Sequence, residues 1–237
     1  MRKLVACLIL LAILLAAEAA FADPPARGSE EPAGVGATYR VTVTPHWAGT
    51  GVAISRDGWV VTTADLIGRC PDAPAPCGIW VEDQAREIWR RAELVASDPG
   101  VGIALLRTDG TLPEAATLTS RRVRPGEPVH ASGFDGNDRR FLTGSVRGQR
   151  LATMFGDPPA SGQVVVTTLE CPNGSYGTGI FAISDERMIG LLVGTVDASE
   201  DADAGRTIAV PSGAVRAFYE LNRAAYERRA RAARHDR

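Results

Sequence analysis

Residues 49–67 read GTGVAISRDGWVVTTADLI, and this stretch decides the fold. Two runs rich in β-branched residues lie on either side of Asp57-Gly58. Because Asp-Gly is typical of the tight turns that join antiparallel strands, the stretch predicts a β-hairpin.

Ten further strands are predicted outside this hairpin, each bounded by turn residues. Many short strands with few helical periods predict an all-β fold, either a sandwich or a pair of barrels. The ten runs are 39–44, 79–82, 88–96, 102–107, 128–133, 141–147, 163–169, 178–183, 188–196 and 206–210.

The C-terminal region breaks this pattern. A helix is predicted from Gly213, because apolar residues recur there on one helical face. Residues 223–237 are rich in arginine and alanine, and we interpret them as a solvated tail. The alternative is that this arginine-rich segment binds acidic surfaces.

The N-terminus has the layout of a secretory signal peptide over residues 1–22. Two basic residues precede an apolar run, and small residues precede a predicted cleavage before Asp23. The mature chain is then expected to be secreted or periplasmic, with no integral membrane segment. Residues 23–37, rich in proline, glycine and glutamate, are interpreted as a flexible linker.

Charge and cysteine content restrict the function further. A formal charge of −2 over 237 residues provides no electrostatic case for a nucleic-acid partner. Cys70 and Cys77 bracket a short proline-rich loop, and export permits oxidation, so we predict a disulfide between them. Their spacing fits no common zinc pattern, so no metal or other cofactor is expected. Cys171 is then the odd cysteine, either a buried thiol or a reactive one, and a lone cysteine is more often buried.

Four segments, taken in chain order, resemble the trypsin-like serine proteases, in particular the bacterial HtrA-type branch. The resemblance covers about residues 45–222, with no PDZ domain after it. It implies two six-stranded antiparallel β-barrels and a C-terminal helix, with the protease-like domain over residues 38–222. The segments are the hairpin above, VASDPGVGIALLR from Val95, NGSYGTGIF from Asn173, and the pair MIGL from Met188 and TIAVPS from Thr207.

The resemblance also indicates that the catalytic groups are lost. The family's mechanism uses a serine, a histidine that takes its proton, and a carboxylate that orients the histidine. The matching positions here hold Tyr176, Asp65 and Gly102. An ordinary aspartate, with a pKa of about 4, is poorly matched to deprotonating an alcohol at neutral pH.

A shift of the alignment by one residue places Ser175 at the nucleophile position. Gly174 and Ser175 otherwise correspond to the family's oxyanion loop. In either register Ser175 would need a base, and the mature chain has no lysine. We interpret His46, His130 and His235 as surface or structural residues.

The sequence therefore predicts an exported, catalytically inactive protease homologue that serves as a binding or scaffolding protein, with a peptide or protein ligand in or near the former cleft. The alternative is an active serine endopeptidase with a site rebuilt around Ser175. In the family's geometry the positions of Asp65 and Tyr176 face each other, so we also predict a hydrogen bond between their side chains.

Overall fold

The computed structural model describes residue 32 and residues 34–44, 47–69, 77–154, 160–171, 175–195 and 206–235. The chain divides into residues Met1–Pro32 and Ala33–Arg237, and every element below belongs to the second unit. No helix among the described residues has the length and apolar character needed to cross a bilayer.

The first barrel contains six antiparallel strands in the order β1-β2-β3-β6-β5-β4, closed by pairing of β1 with β4. A five-residue helix, α1, follows β3. The elements are β1 (Thr38–Val43), β2 (Trp47–Ser55), β3 (Trp59–Thr63), α1 (Ala64–Gly68), β4 (Ile79–Asp83), β5 (Ile88–Asp98) and β6 (Ile103–Thr108).

The second barrel has the strand order β10-β11-β12-β9-β8-β7 and is closed by pairing of β10 with β7. The long helix α2 follows its last strand. The elements are β7 (Pro128–Asp135), β8 (Asp138–Met154), β9 (Ala160–Thr167), β10 (Gly179–Ala182), β11 (Met188–Thr195), β12 (Thr207–Pro211) and α2 (Ser212–His235). The predicted double barrel of the trypsin-like fold is confirmed.

Strands at the interface between the barrels are buried on both faces, which explains why their sequences do not alternate. In β6, Ile103 and Leu105 pack between the barrels, whereas Ala104 and Leu106 fill the interior of the first barrel. Equivalent side chains of β9, β11 and β12 complete the interface from the second barrel. The core between the barrels is therefore continuous.

The compact unit begins earlier than the sequence predicts. Val35 and Ala37 are buried, and the amide of Ala53 donates to the carbonyl of Ala37 over 2.9 Å. The end of the predicted flexible linker is therefore part of the domain. This polar, glycine-rich segment has too few apolar side chains to show a hydrophobic periodicity. Its sequence therefore does not indicate that it packs as part of the domain.

Helix α2 continues through residues interpreted above as a solvated tail. Tyr219 and Tyr226 both contact the ring of Trp59 edge-on, with centroids 5.7 Å and 5.4 Å away. Edge-to-face pairs of this kind add stability beyond the area that they bury. The helix is therefore attached to the first barrel as far as Tyr226.

We predict that Trp59→Ala lowers the free energy of unfolding by about 3–5 kcal/mol, because it empties a buried site under α2. Urea denaturation measures this. Trp89→Ala is the matched control, since that residue is half exposed, and it should lower stability by at most about 2 kcal/mol. Equal effects of the two substitutions would contradict the role assigned to Trp59.

Candidate functional site

A cleft of about 690 Å³ contains the three positions that the resemblance assigns to the catalytic groups. Asp65 lies in α1, Gly102 directly precedes β6, and Tyr176 lies in the loop before β10. The opposite wall is the end of β11, at Val193–Thr195. The structure thus brings together positions 65, 102 and 176.

The side chain of Asp65 faces solvent and is 80% exposed. Arg69 lies one helical turn later, and its Nη2 donates to Oδ2 of Asp65 over 3.0 Å. The guanidinium of Arg69 also stacks over the ring of Trp47, 4.4 Å from its centroid. The carboxylate is therefore part of an exposed cluster at the rim of the cleft.

Gly102 contributes backbone rather than a side chain. Its amide donates to the carbonyl of Asp98 over 2.8 Å, and its carbonyl accepts from the amide of Ala64 over 3.0 Å. A Cβ here would meet Val193 at an ordinary 3.5 Å, but φ is +80°. Because side chains disfavour this backbone conformation, an orienting carboxylate could be accommodated only with strain.

Tyr176 is half-buried and packs against the core of the second barrel. Its carbonyl accepts from the amide of Thr50 in β2 over 3.3 Å. The next residue, Gly177, donates to the carbonyl of Leu192 over 2.8 Å. These backbone bonds determine the position of Tyr176 at the barrel interface.

Gly177 is required by close approach of the two barrels. Its φ is +91°, and a Cβ would lie only 2.0 Å from the carbonyl oxygen of Thr50. Thr50 also accepts from Thr62 at its carbonyl and from the amide of Phe134 at its hydroxyl, over 2.7 Å and 3.0 Å. We call this set of hydrogen bonds around Thr50 the seam between the barrels. The sequence analysis did not predict it, although a glycine within a polar loop was a signal that could have indicated it.

The predicted hydrogen bond between the side chains of Asp65 and Tyr176 is wrong. Asp65 instead pairs with Arg69, the i+4 neighbour that α1 places beside it. The contact that Tyr176 makes across the interface uses its backbone carbonyl. A carboxylate at the exposed rim gains more from a nearby cation than from reaching inwards across the cleft.

Ser175 is fully buried rather than exposed in the cleft. Among the described residues, none forms a hydrogen bond of ordinary geometry with the Oγ of Ser175. A Cβ placed on Gly133 of β7 would lie 3.0 Å from the Cβ of Ser175, so β7 packs directly against this residue. Gly174 lies outside the described residues. Ser175 therefore presents no accessible nucleophile.

His130 is distant from Ser175 along β7. Its ring stacks on Phe181 of the paired strand β10, with centroids 5.7 Å apart and planes 14° apart. Gly133, which contacts Ser175, is three residues further on, or roughly 10 Å, and an odd spacing places the two on opposite faces of the strand. His46 lies outside the described residues, and His235 is the last residue of α2.

Cys171 is a free thiol close to this loop. Burial raises its pKa to about 12, and the neighbouring hydroxyl of Ser175 opposes part of that rise. A thiol with this pKa is neutral and unreactive at physiological pH. The predicted partner of Cys77, Cys70, lies outside the described residues, so their disulfide stays a prediction.

The described part of the chain brings no three histidine, cysteine, aspartate or glutamate side chains together in a cluster that could hold a metal ion. The cleft itself is lined by two charged side chains, Asp65 and Arg69, which pair with each other. The rest of the described lining presents hydroxyl, backbone and apolar groups.

A family model described as the trypsin-like peptidase domain matches residues 49–191. Solved structures of the M. tuberculosis H37Rv protein Rv3671c share the fold. An inactive serine-to-alanine mutant has 19% identity and a TM-score of 0.65, covering 80% of this chain and 87% of that one. The active form has 18% identity and the same TM-score, covering 78% and 79%. No curated protein matches the sequence.

We predict that iodoacetamide at about pH 8 alkylates Cys171 at least about 100-fold more slowly in the folded protein than in urea. The raised pKa lowers the thiolate fraction, and the thiolate is the reacting species. Peptide mapping by mass spectrometry measures the modification at Cys171 alone. Equal rates in the folded and unfolded protein would contradict the assigned environment.

Proposed function

This chain belongs to the trypsin-like peptidase domain family, and from that premise we propose that it is an exported pseudoprotease that binds a peptide without cleaving it. The observation that supports the proposal most directly is the occupancy of the three catalytic positions. They hold an exposed carboxylate, a glycine in a left-handed conformation and a tyrosine.

The lack of a histidine at the position of the general base is the main reason why we expect no peptide hydrolysis. Acyl transfer in this fold needs an imidazole to take a proton from the nucleophile and to return it to the leaving group. Among the described residues that line the cleft there is no histidine. Removing the catalytic groups of such a triad lowers kcat by about 10⁴–10⁶, so binding is what remains.

Binding is supported by the edge of β11 at residues 193–195, which pairs with no strand among the described residues on the side of the cleft. Leu192 pairs with the segment before β10 through its amide and carbonyl, to Thr178 and Gly177. Beyond Leu192, strand β11 still pairs with β12 through Gly194 and Thr195. Its pairing with β10 does not extend this far, because β10 begins opposite Leu191. The other edge of residues 193–195 borders the cleft, where an extended peptide can add as a strand.

The alternative, hydrolysis by Ser175, finds little support in the geometry. A nucleophile must reach the substrate carbonyl, whereas Ser175 is buried against β7. Secretion by residues 1–22 and a bridge between Cys70 and Cys77 belong to the proposal on sequence grounds. The HtrA-type branch is likewise an inference from the quoted motifs.

We predict that a fluorophosphonate probe does not label the purified protein, because the hydroxyl of Ser175 is buried and the described residues that line the cleft include no histidine to act as its base. In-gel fluorescence beside an active serine protease measures this. Labelling of the wild type that disappears in Ser175→Ala would contradict the proposed function.

We predict that Gly194→Leu weakens binding of peptides selected from a phage-displayed library at least about tenfold, since the new side chain fills the cleft. The nearest atom to a Cβ at Gly194 is 3.8 Å away, so the strand can accept the substitution. Fluorescence anisotropy measures the affinity.

Gly148→Leu is the matched control, because a Cβ there meets nothing within 4 Å and β8 lies outside the cleft lining. Equal affinity of Gly194→Leu and the wild type would show that the selected peptides bind elsewhere. Failure to select any peptide would count against peptide binding, whatever the probe experiment shows.

A further inference from the structure

We propose that the end of α2 binds the surface of an anionic phospholipid bilayer through an arginine row, which we define as Arg228, Arg231 and Arg234. The three are exposed and follow one another at three-residue spacing. Successive members of the row lie on neighbouring turns, and the row winds about 120° around the helix axis from Arg228 to Arg234. This inference is independent of the proposed peptide binding.

The helix that carries the arginine row is packed against the first barrel and is not a loose tail. Trp59, which is buried, contacts both Tyr219 and Tyr226 of α2. The helix continues for nine further residues to His235. The arginines are thus presented as a pre-organised array, which lowers the ordering cost of binding.

The positive charge of this segment is largely uncompensated. Residues 221–235 contain five arginines and a single carboxylate, Glu227. Glu227 accepts from Nε of Arg223 over 2.7 Å and lies 3.6 Å from Nη2 of Arg231. Within the described part of the chain, Arg228, Arg229 and Arg234 take part in no ion pair.

A helix C-terminus favours cations through its dipole, and this accounts for some of the charge. It does not account for Arg228 and Arg234, which take part in no ion pair within the described part of the chain, or for exposed Arg231, whose partner Glu227 is shared with Arg223. Guanidinium groups bind phosphate oxygens with two parallel hydrogen bonds, so a lattice of lipid phosphates can engage all three at once.

The geometry favours a surface over a small soluble anion. Arg231 and Arg234 border a recess of about 270 Å³ beside Trp59, but Arg228 does not. An ion in that recess would leave part of the row unused. Leu221 is 69% exposed and lies two turns before Arg228 on the same side of the helix, where it can enter the headgroup boundary.

The test is sedimentation of the purified protein with phosphatidylcholine vesicles, with and without phosphatidylglycerol. Binding is expected only with phosphatidylglycerol, and it should weaken at high salt. The triple variant R228Q/R231Q/R234Q should bind about 100-fold more weakly, because each arginine near such a surface contributes about fivefold. Glutamine retains helix propensity, and circular dichroism checks folding.

The matched control is R122Q/R124Q/R187Q, which removes the same charge from exposed positions on the other barrel. It should retain nearly all binding. Three results would each overturn the proposal: equal loss in both triple variants, no binding of the wild type to anionic vesicles, or displacement of the protein from them by millimolar-range inorganic phosphate at constant ionic strength.

Discussion

The hydrogen bonds of Thr50 hold the two barrels in register, and the cleft depends on them. Its amide binds the carbonyl of Tyr176, its carbonyl accepts from Thr62, and its hydroxyl accepts from the amide of Phe134. Groups from both barrels thus meet at one buried residue. Gly177 permits this because any side chain there would collide with the Thr50 carbonyl.

The contacts between the barrels at Thr50 do not depend on the side chains at positions 65, 102 and 176. The backbone bonds that position the loop before β10 require a glycine and a strand partner, not a serine. The side chain of Asp65 is exposed and pairs with Arg69, so it contributes little to the contact between the barrels.

Helix α2 depends on a second contact of the same kind, between residues distant in sequence. Trp59 is the first residue of β3, and its outer face is covered by two tyrosines from the C-terminal helix. The guanidinium of Arg107 lies over the same ring, 5.2 Å from its centroid. One aromatic side chain therefore links the interface, the helix and the charged surface at the end of the helix.

The sequence by itself determined the strands and the trypsin-like fold, and its motifs are the sole basis for placing Asp65, Gly102 and Tyr176 at the three catalytic positions. Asp57-Gly58 marks a turn locally, and β-branched runs mark strands locally, so twelve strands could be placed, although β8 continues to Met154, well beyond its predicted end at residue 147. The missing histidine is visible from the motif alone.

Only the tertiary structure decided where those side chains point. Whether Asp65 turns towards Tyr176 or Arg69, whether Ser175 is buried by β7, and whether Tyr226 finds Trp59 all depend on contacts between distant segments. Local propensity contains no term for such contacts, because their energies arise only when the two barrels and the helix have packed together.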